Sequence, residues 1–290
     1  MRSDQLFSPP TESHSIDSSK KVLVIGLGEI GFATAEYLTS LGVEVDGYDI
    51  QQTVWENAKK RKVISNTPRD LSEYDYYIIC VSTHSKDNQL VPDLNGIYDI
   101  AKQLAISGKR GSLVCIDSTI TVGTSKKFLE ILGHKLHVAH IPHRYYSNQK
   151  DVYGVRQMRV AGGCEPCCLK SAVDFYHHSL GIPLFQVEQI EVAEASKLIE
   201  NANRFMQIAF TEEIKLLCEK MQMDYDTLRD AVNSKWNVEL LEARNGINGH
   251  CLPKDSHMYS DLVTKFLSVD SIIKIAKQVD IIYKENLRES

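Results

Sequence analysis

No apolar run in this sequence approaches the ~20 residues that a bilayer-spanning helix needs. A basic surplus is missing too: 33 Lys and Arg stand against 38 Asp and Glu, for a net charge of -5. That balance gives no electrostatic ground for binding nucleic acid or an anionic membrane. The opening stretch, MRSDQLFSPPTESHSIDSSK, lacks the apolar core of a secretory signal. Its Ser, Pro and mixed charges predict a disordered lead-in over residues 1–19. An even cysteine count is also absent. There are seven cysteines and no export signal, so a disulfide framework is not expected and a reducing cytoplasm is.

What is present fits a globular chain of 290 residues, enough for two domains. The first half reads as alternating strands and helices. Residues 22–25 are an apolar run suited to a buried parallel strand. Gly26-Leu27-Gly28-Glu29-Ile30-Gly31 follows, then a helix from Glu29 to Leu41 closed by Gly42. A second strand over 43–48 ends at Asp49. In this pattern Gly26 permits the tight turn and Gly28 lets a pyrophosphate approach the backbone at the helix N-terminus. Gly31 lets the helix pack on the strand. Glu29 and Ile30 open the helix within the same fingerprint. Asp49 lies where a carboxylate accepts from ribose hydroxyls, and no Arg follows in DIQQT, so NAD is expected rather than NADP.

The runs YDYYIICVST and GSLVCIDST predict further strands that end in hydroxyl residues. Ser82, Thr83, Ser118 and Thr119 therefore fall at strand carboxyl ends, where ligands bind in an open parallel sheet. Each is equally suited to cap a following helix. DLNGIYDIAKQLAI predicts a helix, and LHVAHIP and MRVAGG predict more strands. CEPCC, with Cys164, Cys167 and Cys168, raises the question of zinc with His177 or His178. Those histidines fall on an amphipathic helical pattern, so thiols packed at a helix start are expected, and no metal.

From residue 188 strands and glycine turns stop and a long helical pattern begins. Glu194, Lys197 and Asn201 share one helical face at i, i+3 and i+7. A solvated salt-bridge face is the ordinary reading of such a pattern. A Lys and an Asn one turn apart are also placed to hydrogen-bond one developing oxyanion. About fifty residues on comes GINGHCLPKD. Gly246 and Gly249 permit unusual backbone angles, and Lys254 and Asp255 flank Cys251 as candidates to tune its thiol. Cys80, Cys115 and Cys218 lie in apolar patterns and are expected to be inert.

Taken in order, GLGEIG with Asp49, CVST, DSTITVGTS, AGG, EASKLIENANRFMQIAFTEEIKLLCEK and GINGHCLPKD resemble the nucleotide-sugar 6-dehydrogenase family. That resemblance implies an NAD-dependent oxidation of a sugar primary alcohol to the carboxylate. It makes Cys251 the nucleophile of a thiohemiacetal and then a thioester, and Lys197 and Asn201 the oxyanion donors. Thr119 and Asp255 hold the catalytic water or assist proton transfer. Asn248 stands at a usual Gly position of the family, and His143, in HIPHRYYS, stands where members carry a glutamate that aids hydrolysis. Members also carry a C-terminal nucleotide-gripping domain with no counterpart in these residues, so the nucleotide is expected to be held by a partner chain, or to be absent from the substrate, or the chain to be a truncated one.

The expected fold is α/β: a Rossmann-type doubly wound parallel sheet over 20–187, followed by an all-helical central domain with one long helix over 188–290. The long helix has more apolar positions than one packed face uses, so a homodimer through it is expected. Three other readings stand beside the four-electron dehydrogenase. One is a single-step dehydrogenase of β-hydroxyacid dehydrogenase type. Another is a non-catalytic NAD-binding protein, and the last makes Cys251 a redox-sensing thiol.

Overall fold

The computed structural model describes Asp17 and residues 19–85 and 87–289. Apart from Asp17 and Ser19, the expected lead-in over 1–19 lies outside the described residues. The chain falls into two compact units. One holds the chain up to Thr83 with Asp93–Ser196, and the other holds His84–Pro92 and the chain from Lys197 onward.

The first unit is built on seven strands in the order β2-β1-β3-β4-β5-β6-β7. These are β1 Val22–Ile25, β2 Val45–Tyr48, β3 Tyr76–Ile79, β4 Leu113–Ile116, β5 His137–His140, β6 Arg159–Gly163 and β7 Leu184–Val187. Its helices are α1 Glu29–Ser40, α2 Gln52–Lys60, α3 Asn95–Ser107, α4 Thr124–Ile131 and α5 Pro166–Val173, the last continued by a π-turn over Asp174–Ser179. Side chains alternate across a strand, and here both faces are covered. Val22 and Val24 enter one apolar cluster with Ala35, Leu38 and Ala58 of α1 and α2. Leu23 and Ile25 enter a second with Ile97, Leu104 and Phe128 of α3 and α4. Two-sided burial explains why β1 is apolar at every position rather than alternating.

The sheet is not parallel throughout. β1 to β5 are parallel, but β6 runs antiparallel to β5 and β7 parallel to β6. Parallel neighbours need a crossover, usually helical. Between β5 and β6 there is only a 3-10 turn, Ser147–Gln149, and the chain reverses instead. β1 lies between β2 and β3, so successive connections leave it in opposite directions. In such sheets that switch point is where ligands bind, outside the strand carboxyl ends.

α6, Ile190–Met221, is a single helix of 32 residues within which the division between units falls. Beyond it the second unit holds α7 Tyr225–Asn233, α8 Cys251–Leu267 and α9 Ile273–Glu289. Ala202, Phe205 and Ala209 of α6 pack with Ile247, Ile273 and Leu252 in its core. Among the described residues no helix is long and apolar enough to cross a membrane.

Candidate active site

In the first unit the glycine turn follows β1 directly. Gly26 has φ +89°, and a Cβ there would lie 2.6 Å from the Cys80 carbonyl oxygen. A Cβ on Gly31 would lie 1.8 Å from the Gly26 oxygen, so the turn closes only with glycine at both places. A Cβ on Gly28 would meet nothing within 4 Å, and Gly28 and Glu29 are exposed at the start of α1, with Ile30 half-buried. This is an open cradle of helix N–H groups of the kind that receives a pyrophosphate. Asp49 accepts from the Leu27 N–H at 2.9 Å and the Gln51 N–H at 2.9 Å. A carboxylate has about four acceptor positions, which leaves capacity for ribose hydroxyls. The donor set and the cradle therefore fit a dinucleotide.

The hydroxyl residues beyond β3 and β4 do not cap helices. The residues preceding α3 and α4 are Leu94 and Gly123. Thr83 instead donates to the Thr119 carbonyl at 2.7 Å, and Ser118 donates to the Val81 carbonyl at 2.7 Å. They tie together the ends of neighbouring strands, whereas Ser82 stays exposed. Glu194 is not part of a solvated salt-bridge face. It is fully buried and accepts from the N–H groups of Gly123 at 2.6 Å and Ser125 at 2.8 Å, closing the start of α4.

His143 is buried beside a charge. Its Nε2 lies 3.1 Å from Asp117 Oδ2 and 3.0 Å from Thr34 Oγ1. Asp117 also accepts from Arg159 at 2.8 Å and from Tyr176 at 2.8 Å. Burial pushes the Asp117 carboxyl up, but the hydrogen bond to His143 and the Arg159 charge outweigh it and hold the group below its ordinary range. Asp117, Arg159 and Tyr176 are unremarked in the motif reading. The signal for Asp117 and Arg159 was a charge inside apolar runs, CIDST and MRVAGG, and Tyr176 had none.

In the second unit GINGHCLPKD is a short clamped loop that runs straight into α8. Cys251 is the first helical residue, exposed, with His250 before it. The sulfur thus sits at the positive end of a helix, where anions are stabilised. Pro253 lies in the first turn, where a missing N–H removes no helical bond. The Ile247 N–H donates to Asp280 at 2.7 Å, and Lys284 donates to the Ile247 carbonyl at 2.7 Å and pairs with Asp280 at 2.8 Å. Gly246 has φ +79°, and a Cβ there would run into the Lys284 chain at 2.4 Å. Asn248, at the family's glycine position, donates to the Asn245 carbonyl at 2.8 Å.

Lys197 and Asn201 are half-buried, one turn apart on α6. Asn201 donates to Asp255 at 2.5 Å, and Lys254 pairs with Asp255 at 3.0 Å, with both Lys254 and Asp255 buried. Asp255 stands one turn after Cys251 on α8. The structure thus joins Asn201, Lys254 and Asp255 in one set on the helices that carry Lys197 and Cys251. Thr119 and His143 belong to the other unit.

A glycine-turn nucleotide unit joined to a helical unit with a Lys/Asn helix face and a helix-opening thiol is the arrangement of an NAD-linked dehydrogenase. The NAD-binding domain of the UDP-glucose/GDP-mannose dehydrogenase family matches residues 51–179, and that family's central domain matches residues 191–280. The chain belongs to this family, whose cofactor is NAD. The NAD-binding domain of D-isomer specific 2-hydroxyacid dehydrogenases also matches residues 2–93. A UDP-N-acetyl-D-mannosamine dehydrogenase of Campylobacter jejuni is 29% identical, covering 90% of this chain and 71% of its own length. One from Methanococcus maripaludis is 29% identical, with 62% of its length covered. A solved UDP-D-ManNAc dehydrogenase from Pyrococcus horikoshii superposes with TM-score 0.78 at 27% identity, over 91% of this chain and 68% of that one. The chain spans about two thirds of the length of these relatives.

Proposed function

We propose that this chain oxidises a primary alcohol of a nucleotide sugar to the carboxylate, in two steps, through Cys251. The observation that carries the reading is the pairing of a helix-opening thiol with the Asn201–Asp255 bond one turn further along α8. Gly26, Gly28, Gly31 and Asp49 would hold NAD, which would supply the hydride acceptor for each oxidation. The Cys251 thiolate adds to the aldehyde carbon and gives a thiohemiacetal, whose second oxidation leaves a thioester. Lys197 and Asn201 hydrogen-bond the oxygen as charge builds on it. Asp255, oriented by Asn201 and Lys254, positions the water that cleaves the thioester, which returns the thiol and releases the acid.

The relatives named for UDP-N-acetyl-D-mannosamine support a nucleotide sugar as substrate. A single-step oxidation by the same Lys197 and Asn201 face, without a covalent thiol, is the alternative reading. Counting NADH per substrate across a panel of nucleotide sugars separates the two. Two NADH per acid supports the thioester route, and one NADH supports the single step. Cys251→Ala abolishes acid formation in the first case and leaves most turnover in the second. NAD binding with no NADH from any substrate would instead favour a non-catalytic role. Alkylation of Cys251 that spares activity removes both thiol roles.

A further inference from the structure

Two clusters of potential metal ligands stand out among the described residues. One is Cys80, Asp117 and His143, and the other is His137, Cys167 and Cys168. The first is buried and already holds a cation, since the Arg159 guanidinium lies 2.8 Å from Asp117. A divalent ion there would add charge to a network that is already compensated. The second cluster has no such occupant.

His137 opens β5, while Cys167 and Cys168 lie in the first turn of α5, and the ladder between β5 and β6 brings these elements together. The Cys168 sulfur is 3.6 Å from His137 Nδ1, and the three donor atoms all lie within 4.8 Å of one another. Ligands at Zn–S about 2.3 Å and Zn–N about 2.0 Å stand roughly 3.3–3.8 Å apart around a tetrahedral ion. The His137–Cys168 pair is already at that separation. The exposed Cys167 sulfur lies within 4.8 Å of both other donor atoms. Thiolate and imidazole are the donors that select zinc over magnesium or calcium.

We propose that His137, Cys167 and Cys168 bind one zinc ion, with water from the solvent side as fourth ligand. The site is a clip between β5 and α5. It lies at the amino end of β5, whereas the dinucleotide residues follow the carboxyl ends of β1 to β4, so its effect falls on stability rather than on hydride transfer. His177 and His178, the sequence candidates for such a site, meet edge to face on the π-turn with ring centroids 5.0 Å apart, and are not in the cluster.

The test uses the full chain, kept reduced by a phosphine, and titrated with zinc chloride or, as a spectroscopic probe, cadmium chloride. The expected result is one ion per chain, a cadmium–thiolate charge-transfer band and a melting temperature raised by zinc. All three are lost in Cys167→Ser and His137→Asn and kept in Cys164→Ser and Cys251→Ser. Cys167 is exposed, so Cys167→Ser is the decisive variant, and circular dichroism verifies its fold. The proposal is overturned if the wild type binds no zinc at micromolar concentration. It is equally overturned if Cys167→Ser binds as well as the wild type, or if Cys251→Ser alone removes the ion.

Discussion

The residue that departs most clearly from the family pattern is His143, and its surroundings say what the departure does. A glutamate at this position would stand against the buried Asp117 carboxylate, with Arg159 as the near guanidinium. Two carboxylates in one buried site repel, and one of them is driven to take up a proton. The imidazole avoids this, because a protonated Nε2 donates to Asp117, with Thr34 Oγ1 also close by. Restoring the family's residue is therefore expected to harm the fold rather than improve hydrolysis. His143→Glu is expected to lose on the order of 2–4 kcal/mol of stability, and His143→Gln, which retains a donor, less. Urea unfolding of the two variants beside the wild type checks this. If His143→Glu is as stable as the wild type and releases acid faster, the position is a catalytic one, as the resemblance implied.

Between α6 and α9 one buried carboxylate has no hydrogen-bond partner among the described residues, and it stands next to the clamp on the cysteine loop. Glu212 of α6 is fully buried, and neither oxygen has a hydrogen-bond partner among the described residues. Burial, and then the charge of Asp280, push its carboxyl up to about 7, against the opposing pull of Lys284. The folded state therefore prefers Glu212 protonated. Its stabilising contribution is complete below the unfolded value of 4.5 and is lost as pH rises through about 7. Glu212→Gln should be more stable than the wild type at pH 8, by an amount on the order of 2 kcal/mol, and nearly equal to it at pH 4. Melting temperatures of both proteins at pH 4 and pH 8 read this directly, and a difference between variant and wild type that does not change with pH would contradict it. At this same scale the limits of reading a sequence become physical. The glycine turn and Asp49 were legible because strand, turn, helix and strand follow one another within 28 residues, each with its own local pattern. The sequence set Cys251 apart by its glycine loop but did not mark it as the opening residue of a helix, since Pro253 reads as a breaker until it is placed in a first turn. The antiparallel β6, the Asn201–Asp255 bond and the Asp117 network join residues far apart in sequence. Periodicity carries no information about which distant segments meet, and the same holds for His137 and Cys168.

For the whole molecule the open question is what covers α6. Ile199, Phe210, Leu217 and Met221 are exposed large apolar residues on this helix. Their separations of 11, 7 and 4 residues are near multiples of the helical repeat of about 3.6, so the four lie on one stripe within roughly 40° of arc. The opposite requirement, packing inside the unit, is already met by Ala202, Phe205 and Ala209. A second apolar stripe on a 32-residue helix marks an interaction surface, and an identical copy offers the same stripe in self-complementary form. We propose that the chain forms a homodimer through this face of α6. Phe210→Glu places a charge in the middle of the stripe while leaving the packed side of the helix unchanged. The wild type should sediment as a dimer at micromolar concentration and Phe210→Glu as a monomer with the same helical content. A wild type that sediments as a sharp monomer would remove the dimer, and a Phe210→Glu variant that remains dimeric would move the interface to another face.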